Sequence, residues 1–255
     1  MTAKRVAFIN EKGGTCKTTL AVNCAAWLAE RKGKRVLLID LDTQGHAGKS
    51  LGIDVRSAPI TIADVLLDGS VEPSKAVLPT AVEGLDILPS NRSLFDLPER
   101  LATAHDKHTR LRSAVDSLTE KHDYDFVIFD APPSLGVVTM SIMVATKEVI
   151  VPVALTYFAL DGCAEVVQTV ERVRKEHRRK DLTVSHVVPT LYRRTRMANE
   201  VLAKLSEYFE GRLAPTLGFN VKIDEAQSHG QTIWEYAPGS RGAEMIEAIA
   251  GAIFD

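Results

Sequence analysis

The stretch EKGGTCKTTL, Glu11–Leu20, sets a lysine and two threonines behind a pair of glycines. Those residue types in that order suit phosphate binding. Glycines let the backbone approach phosphate oxygens, successive N–H groups and a helix N-terminus supply fixed positive potential, lysine adds a mobile cation, and a hydroxyl can serve Mg²⁺. Gly13, Gly14, Thr15, Cys16, Lys17, Thr18 and Thr19 are therefore the candidate phosphate contacts, with Thr18 also a candidate metal ligand. The stretch departs from G-x-x-x-x-G-K-[ST] twice: Glu11 stands at the first glycine and Cys16 at the second. If position 16 requires positive φ, a β-carbon there costs about 1–2 kcal/mol. Nucleotide binding is then retained but weakened. Two readings of the thiol stay open: a passive substitution, or a reactive thiolate, because a helix N-terminus lowers a thiol pKa.

Carboxylates recur at the matching place. VLLIDLDTQGHA puts Asp40 and Asp42 at the end of one apolar run, and YDFVIFDAPPS puts Asp130 at the end of another. Ligands of open parallel sheets bind beyond the carboxyl ends of the strands, the edge that also carries the glycine loop. Asp130, after four apolar residues, suits an acid that holds Mg²⁺ through water.

The elements that must position these groups alternate along the chain. Continuous apolar runs mark strands at Arg5–Ile9, Val36–Asp40, Leu85–Leu88, Phe126–Asp130, Glu148–Val153 and Leu182–Val188, with a weaker one near Leu213–Leu217. Helical patterns fill Lys17–Arg31, Ile60–Leu67, Leu97–Glu120, Gly136–Thr146, Asp161–Arg179, Met197–Phe209 and Gly242–Phe254. The expected fold class is α/β: a doubly wound, mostly parallel sheet with helices on both faces, forming one domain over residues 1–255. Gly69–Glu83 reads as a surface loop.

Net charge is −2, so any affinity for nucleic acid must come from a local patch. Cys16, Cys24 and Cys163 suit neither a zinc site nor a disulfide framework, which favours a reduced, cytoplasmic setting. No signal peptide precedes the first strand, and no apolar run reaches the ~18 residues of a membrane span.

The motifs KGGTCKTT, LLIDLDTQGHA and FVIFDAPPS resemble the deviant Walker A, switch I and switch II segments of the ParA/MinD family of P-loop ATPases. VPVALTYFALDG and DEAQSHGQTIWEYAPGSRGAEMI resemble later segments of its ParA/Soj branch. The resemblance implies ATP and Mg²⁺ as cofactors and weak, partner-stimulated ATP hydrolysis. Lys12 matches the signature lysine that reaches the partner's phosphates across an ATP-sandwich homodimer. Lys17 is the catalytic loop lysine. Asp42 orients the attacking water, and Asp40 supports Mg²⁺ or the switch geometry. Non-specific double-stranded DNA is the implied partner, gripped through Arg194 and Lys222, which stand at matching positions, with Arg193 and Arg196 as extra basic neighbours. A ParB-like protein or cargo adaptor is the implied activator. The chain would be cytoplasmic and nucleoid-associated when ATP-bound, serving plasmid or chromosome partition or the positioning of a cargo. The family keeps glycine where Cys16 stands. It has PRNV where this chain has Gly218–Val221, leaving Asn220 to read adenine, and EAPS where this chain has Gln227 in EAQS.

Three other readings compete. A MinD-like membrane switch needs a basic amphipathic tail, yet GAEMIEAIAGAIFD has no lysine or arginine. A nitrogenase iron-protein-like reductase needs a cysteine pair near the switch segments, which Cys24 and Cys163 do not supply. An ATP-dependent ligase on this fold needs a substrate pocket. The run ERVRKEHRRK, Glu171–Lys180, reads equally as a DNA contact or a solvated helix face.

Overall fold

A computed structural model describes residues 3–255. Its strands are β1 (Lys4–Phe8), β2 (Val36–Asp40), β3 (Leu78–Pro79), β4 (Leu85–Leu88), β5 (Phe126–Asp130), β6 (Glu148–Ala154), β7 (Thr183–Tyr192) and β8 (Leu217–Gly218). They form an eight-stranded sheet in the order β3-β4-β2-β5-β1-β6-β7-β8. Every pairing is parallel except the short β3–β4 edge. Parallel neighbours need crossover connections, and helices supply them. These are α1 (Lys17–Lys32), α2 (His46–Ser50), α3 (Ile62–Leu67), α4 (Leu97–Arg100), α5 (Arg110–Lys121), α6 (Val137–Ala145), α7 (Ala159–Glu176), α8 (Arg196–Tyr208), α9 (Val221–Ser228), α10 (Ile233–Tyr236) and α11 (Arg241–Phe254).

Successive strand residues face opposite sides of a sheet, so each central strand feeds two cores. Val6 and Phe8 join one cluster with Leu20 and Leu28 of α1 and Ile246 and Ile249 of α11. Ala7 and Ile9 join the other with Val115 of α5, Ile142 of α6 and Val166 of α7. Burial on both faces is why the strands read as unbroken apolar runs. The mostly parallel, doubly wound class expected from the sequence is the class observed.

Three expectations need correction. The helix expected over Leu97–Glu120 is two helices with turns between them. Between Leu101 and Leu111 no residue is fully buried, so no apolar stripe holds a helix against the core there. The Gly69–Glu83 loop contains a 3₁₀ turn at Pro73–Ala76 and the edge strand β3, pinned by fully buried Ala76. Its Pro79 sits on an edge strand, where a missing N–H is tolerated. The strand ending at Val188 runs on to Tyr192, which delivers the chain to the loop before α8.

Candidate nucleotide site

The carboxyl ends of β1, β2 and β5 open onto a cavity of about 740 Å³ lined by Gly13 through Thr19, with Asp42, Gln44, Lys49, Pro133, Leu191, Asp224 and Gln227 among the other walls. The glycine loop leaves β1 and turns into α1. A β-carbon added at Gly13 or Gly14 would meet nothing within 4 Å, so the loop backbone is bare towards the cavity. Lys17 is 7% exposed, and its Nζ donates to the Lys12 carbonyl at 2.9 Å. Burial pulls its pKa down, while Asp130 and Asp42 oppose that pull. The lysine is thus curled over its own loop, as a cation waiting for an anion would be.

Cys16 caps α1 in the left-handed region, at φ 65°. The position does require positive φ. The thiol corrects one expectation: burial pushes its pKa up to about 11, which outweighs the hydrogen bond from Thr190 and the charge of Lys17. Burial thus outweighs the pull of the helix N-terminus and disfavours the thiolate, although the half-buried Cys16 still lines the cavity.

The carboxylates differ sharply. Asp40 is fully buried, and its oxygens accept from the N–H groups of Asp42 (3.0 Å), Ala47 (3.0 Å) and Gly48 (3.3 Å). Both oxygens are spent on holding the segment after β2, which favours the switch-geometry role over a metal ligand. Asp130 is equally buried, yet neither of its oxygens has a hydrogen-bond partner. Burial and the charge of Asp40 push its pKa well up, with the nearby Thr18 hydroxyl and Lys17 opposing. Asp42 is half-buried, accepts from the Gln44 N–H at 2.9 Å and lines the cavity.

A bare buried carboxylate near the hydroxyl of Thr18, which itself lines the cavity, fits Mg²⁺. That ion keeps several waters and takes only one or two protein carboxylates, with substrate phosphates completing its shell. Among the described residues no three His, Cys, Asp or Glu side chains converge to cage a metal without such help.

Other expected residues lie outside the cavity. Lys12 points away from it: its Nζ donates to the Phe158 carbonyl and lies 5.4 Å from the centre of the Phe158 ring. Asn220 caps α9, its side-chain oxygen accepting from the Lys222 N–H, and it is not among the lining residues. Asp224 and Gln227, further along α9, line the wall instead. The EAQS departure from the family pattern marked Gln227; nothing in the sequence marked Leu191, whose φ is 54°.

The cations expected to grip DNA leave one sheet edge. β7 pairs with β8 at Tyr192 and Gly218, so the turns carrying Arg193–Arg196 and Asn220–Lys222 emerge side by side. Arg193 lies 5.5 Å from the Phe219 ring centre. Arg196 pairs with Glu200 at 2.8 Å and Lys222 with Glu225 at 2.8 Å. Arg194 is exposed and has no ion pair among the described residues. Exposed pairs of this kind are worth at most about 1 kcal/mol, so they compete weakly with a phosphate.

A family model described as an AAA domain matches residues 3–184. The sporulation initiation inhibitor protein Soj of Bacillus subtilis is 37% identical over 97% of this chain and 96% of its own length. The chromosome-partitioning ATPase Soj of Thermus thermophilus is 38% identical over 97% of this chain and 94% of its own. A crystal structure of cobyrinic acid a,c-diamide synthase from Mycobacterium smegmatis, with bound ADP and magnesium, superposes with a TM-score of 0.83. It is 33% identical, covering 98% of this chain and 93% of that one.

Proposed function

The chain belongs to the ParA/Soj-type family of P-loop partitioning ATPases, and on that footing we propose that it acts as one domain, a nucleotide-controlled switch that grips DNA without reading its sequence. The observation that carries the reading is the cavity itself: a bare glycine loop, a curled lysine and the Asp42 carboxylate line one space of about 740 Å³, with the unpartnered Asp130 buried near Thr18 and Lys17. Mg·ATP occupies it, with the N–H groups of Gly13–Thr19 and Lys17 on the phosphates and Thr18 and Asp130 facing the ion. Bound Mg²⁺ neutralises charge on the transferring phosphoryl group. Asp42, half-buried at the cavity wall, orients the attacking water rather than acting as a strong base. Lys12 faces outward beside α7, where a second copy would meet it, and the resulting homodimer hydrolyses ATP weakly until a ParB-like or adaptor partner stimulates it.

Dimerisation would double the Arg193, Arg194, Arg196 and Lys222 patch on one body. The second contact then becomes intramolecular, and nucleotide state controls DNA affinity without altering the patch. The MinD-like alternative gains nothing from the terminal helix, which packs Ile246, Ile249 and Ile253 into the core. Among the described residues no helix is long and apolar enough to cross a membrane.

The test is a salt titration of duplex binding with Mg·ATP and with Mg·ADP. The expected result is a steep, sequence-independent salt slope with ATP and weak binding with ADP. Identical curves with the two nucleotides overturn the switch. Binding to anionic vesicles in place of DNA establishes the membrane alternative.

A further inference from the structure

The segment of α9 and α10 hydrogen-bonds α1 at two places one turn apart. At the deeper one, Asn23 accepts from the Ile233 N–H at 2.8 Å through its side chain and from the Trp234 Nε1–H at 3.2 Å through its carbonyl. Ile233 is fully buried, so this contact belongs to the core. The shallower contact lies at the cavity wall. There the Gln227 Nε2 donates to the Thr19 Oγ1 at 3.0 Å, and both residues are only half-buried.

The direction of that bond matters. A threonine hydroxyl has one proton to give and lone pairs to accept with. With Gln227 donating to the oxygen, the hydroxyl proton is left for another acceptor. Thr19 lines the phosphate cavity, so a phosphate oxygen is the acceptor within reach. A hydroxyl that donates to an anion becomes a better acceptor, so the two bonds strengthen each other. Strengthening is reciprocal: if Gln227 tightens the grip on nucleotide, nucleotide tightens the grip on Gln227.

Gln227 sits in the last turn of α9, whose first turn carries Lys222. We infer that Gln227 is a positioning residue: it aims the Thr19 hydroxyl at nucleotide phosphate and transmits nucleotide occupancy to α9, the element that bears Lys222. The ParA/Soj pattern has proline at this place, a side chain with nothing to donate, so the link is a property of this chain. The inference rests on the cavity holding nucleotide, as proposed above.

The experiment uses the full chain and five variants: Gln227→Ala, Gln227→Glu, Thr19→Ser, Thr19→Val and the double variant Thr19→Val with Gln227→Ala. Affinity for Mg·ATP is measured by calorimetric titration, and amide hydrogen exchange over residues 221–228 and 233–236 is followed at saturating nucleotide. Gln227→Ala weakens ATP binding by about threefold to tenfold, the range expected for one hydrogen bond. Gln227→Glu, nearly isosteric, weakens it further, because a carboxylate takes the hydroxyl proton from the phosphate. Thr19→Ser keeps the wild-type response. In a Thr19→Val background Gln227→Ala adds nothing, since their partnership is already lost. Nucleotide protects 221–228 in the wild type and less so in Gln227→Ala, while 233–236, held by Asn23, stays the same in both. Wild-type affinity and protection in both Gln227 variants, or additive losses in the double variant, overturn the inference alone. A wild-type chain that binds no ATP overturns the reading of the cavity, and this inference falls with it.

Discussion

The ends of β2 and β5 carry the same chemistry and put it to different use. Both are short apolar strands closed by an aspartate, VLLID and FVIFD, and the sheet register sets Asp40 beside Asp130. Both carboxylates are fully buried. What separates them is the next few residues. After Asp40 the chain turns back through Asp42, Ala47 and Gly48 and supplies three N–H donors. After Asp130 come Ala131, Pro132 and Pro133, and two of those three residues have no N–H to supply. One end is closed on its own loop. The other is left buried without backbone donors, behind a cavity wall to which the following Pro133 contributes. A buried carboxylate without donors is costly to ionise, so Asp130 is the place where a cation has most to gain.

The sharpest way to break this contrast is to replace each acid by its amide. Asp40→Asn sets an NH₂ group against at least one backbone N–H, whichever way the amide is turned. Loss of about 2–4 kcal/mol of unfolding free energy is expected, at acid and neutral pH alike, measured by denaturant titration. Asp130→Asn has no such conflict, because no backbone N–H is bonded to it and the nearby Thr18 hydroxyl can accept as well as donate. The nucleotide-free protein should become more stable at pH 8, by removal of an ionisation that burial opposes, while Mg²⁺-dependent ATP binding drops by more than about tenfold. If both variants lose similar stability, the two strand ends are equivalent and the contrast fails.

Acidity gives a smaller effect with a definite sign. Burial raises both carboxylates above their usual value of 3.8, Asp40 to about 7 and Asp130 well up. The three donors at Asp40 favour its charge, so as pH rises Asp40 gives up its proton before Asp130 does. Folding therefore takes up a proton. The stabilisation is fully present below pH 3.8, falls as pH rises, and is gone for Asp40 once pH passes about 7. Thermal unfolding of the nucleotide-free chain across that window should show this decline, and Asp130→Asn should make it shallower, leaving the part due to Asp40. An equally steep curve in that variant places the titrating group elsewhere.

Much of this contrast was legible before any coordinates, but not its direction. The strands β2, β4 and β5 have the bounds their apolar runs predict, because burial on both faces leaves an unbroken signature. The phosphate loop was equally plain. Helices α2 and α10 escaped notice because five and four residues are too few to show a period. Asn220 was expected at the base and instead caps α9, a task Asn performs whenever it precedes a helix and which family likeness obscures. The division of labour between Asp40 and Asp130 depends on where N–H groups land three-dimensionally. Only the prolines after Asp130 hinted at it.

The phosphate loop carries a cost of a different kind, and it yields the smallest effect. Cys16 adopts φ 65° as the residue that caps α1, so its strain is a cost of the folded loop conformation itself. The expectation of weakened affinity therefore shifts to one of reduced stability. Glycine at position 16 would relieve about 1–2 kcal/mol of left-handed strain but lose roughly 0.5–1 kcal/mol to the freedom of the unfolded chain. Cys16→Gly should raise stability by about 1 kcal/mol or less, and ATP affinity should stay close to that of the parent. Thermal unfolding beside an ATP titration separates the two possibilities. A clear gain in affinity with no gain in stability means the Cys16 side chain crowds the phosphates directly. A loss of stability means the half-buried thiol packs well enough against Thr190 to outweigh its backbone, and the loop is then less strained than its geometry implies.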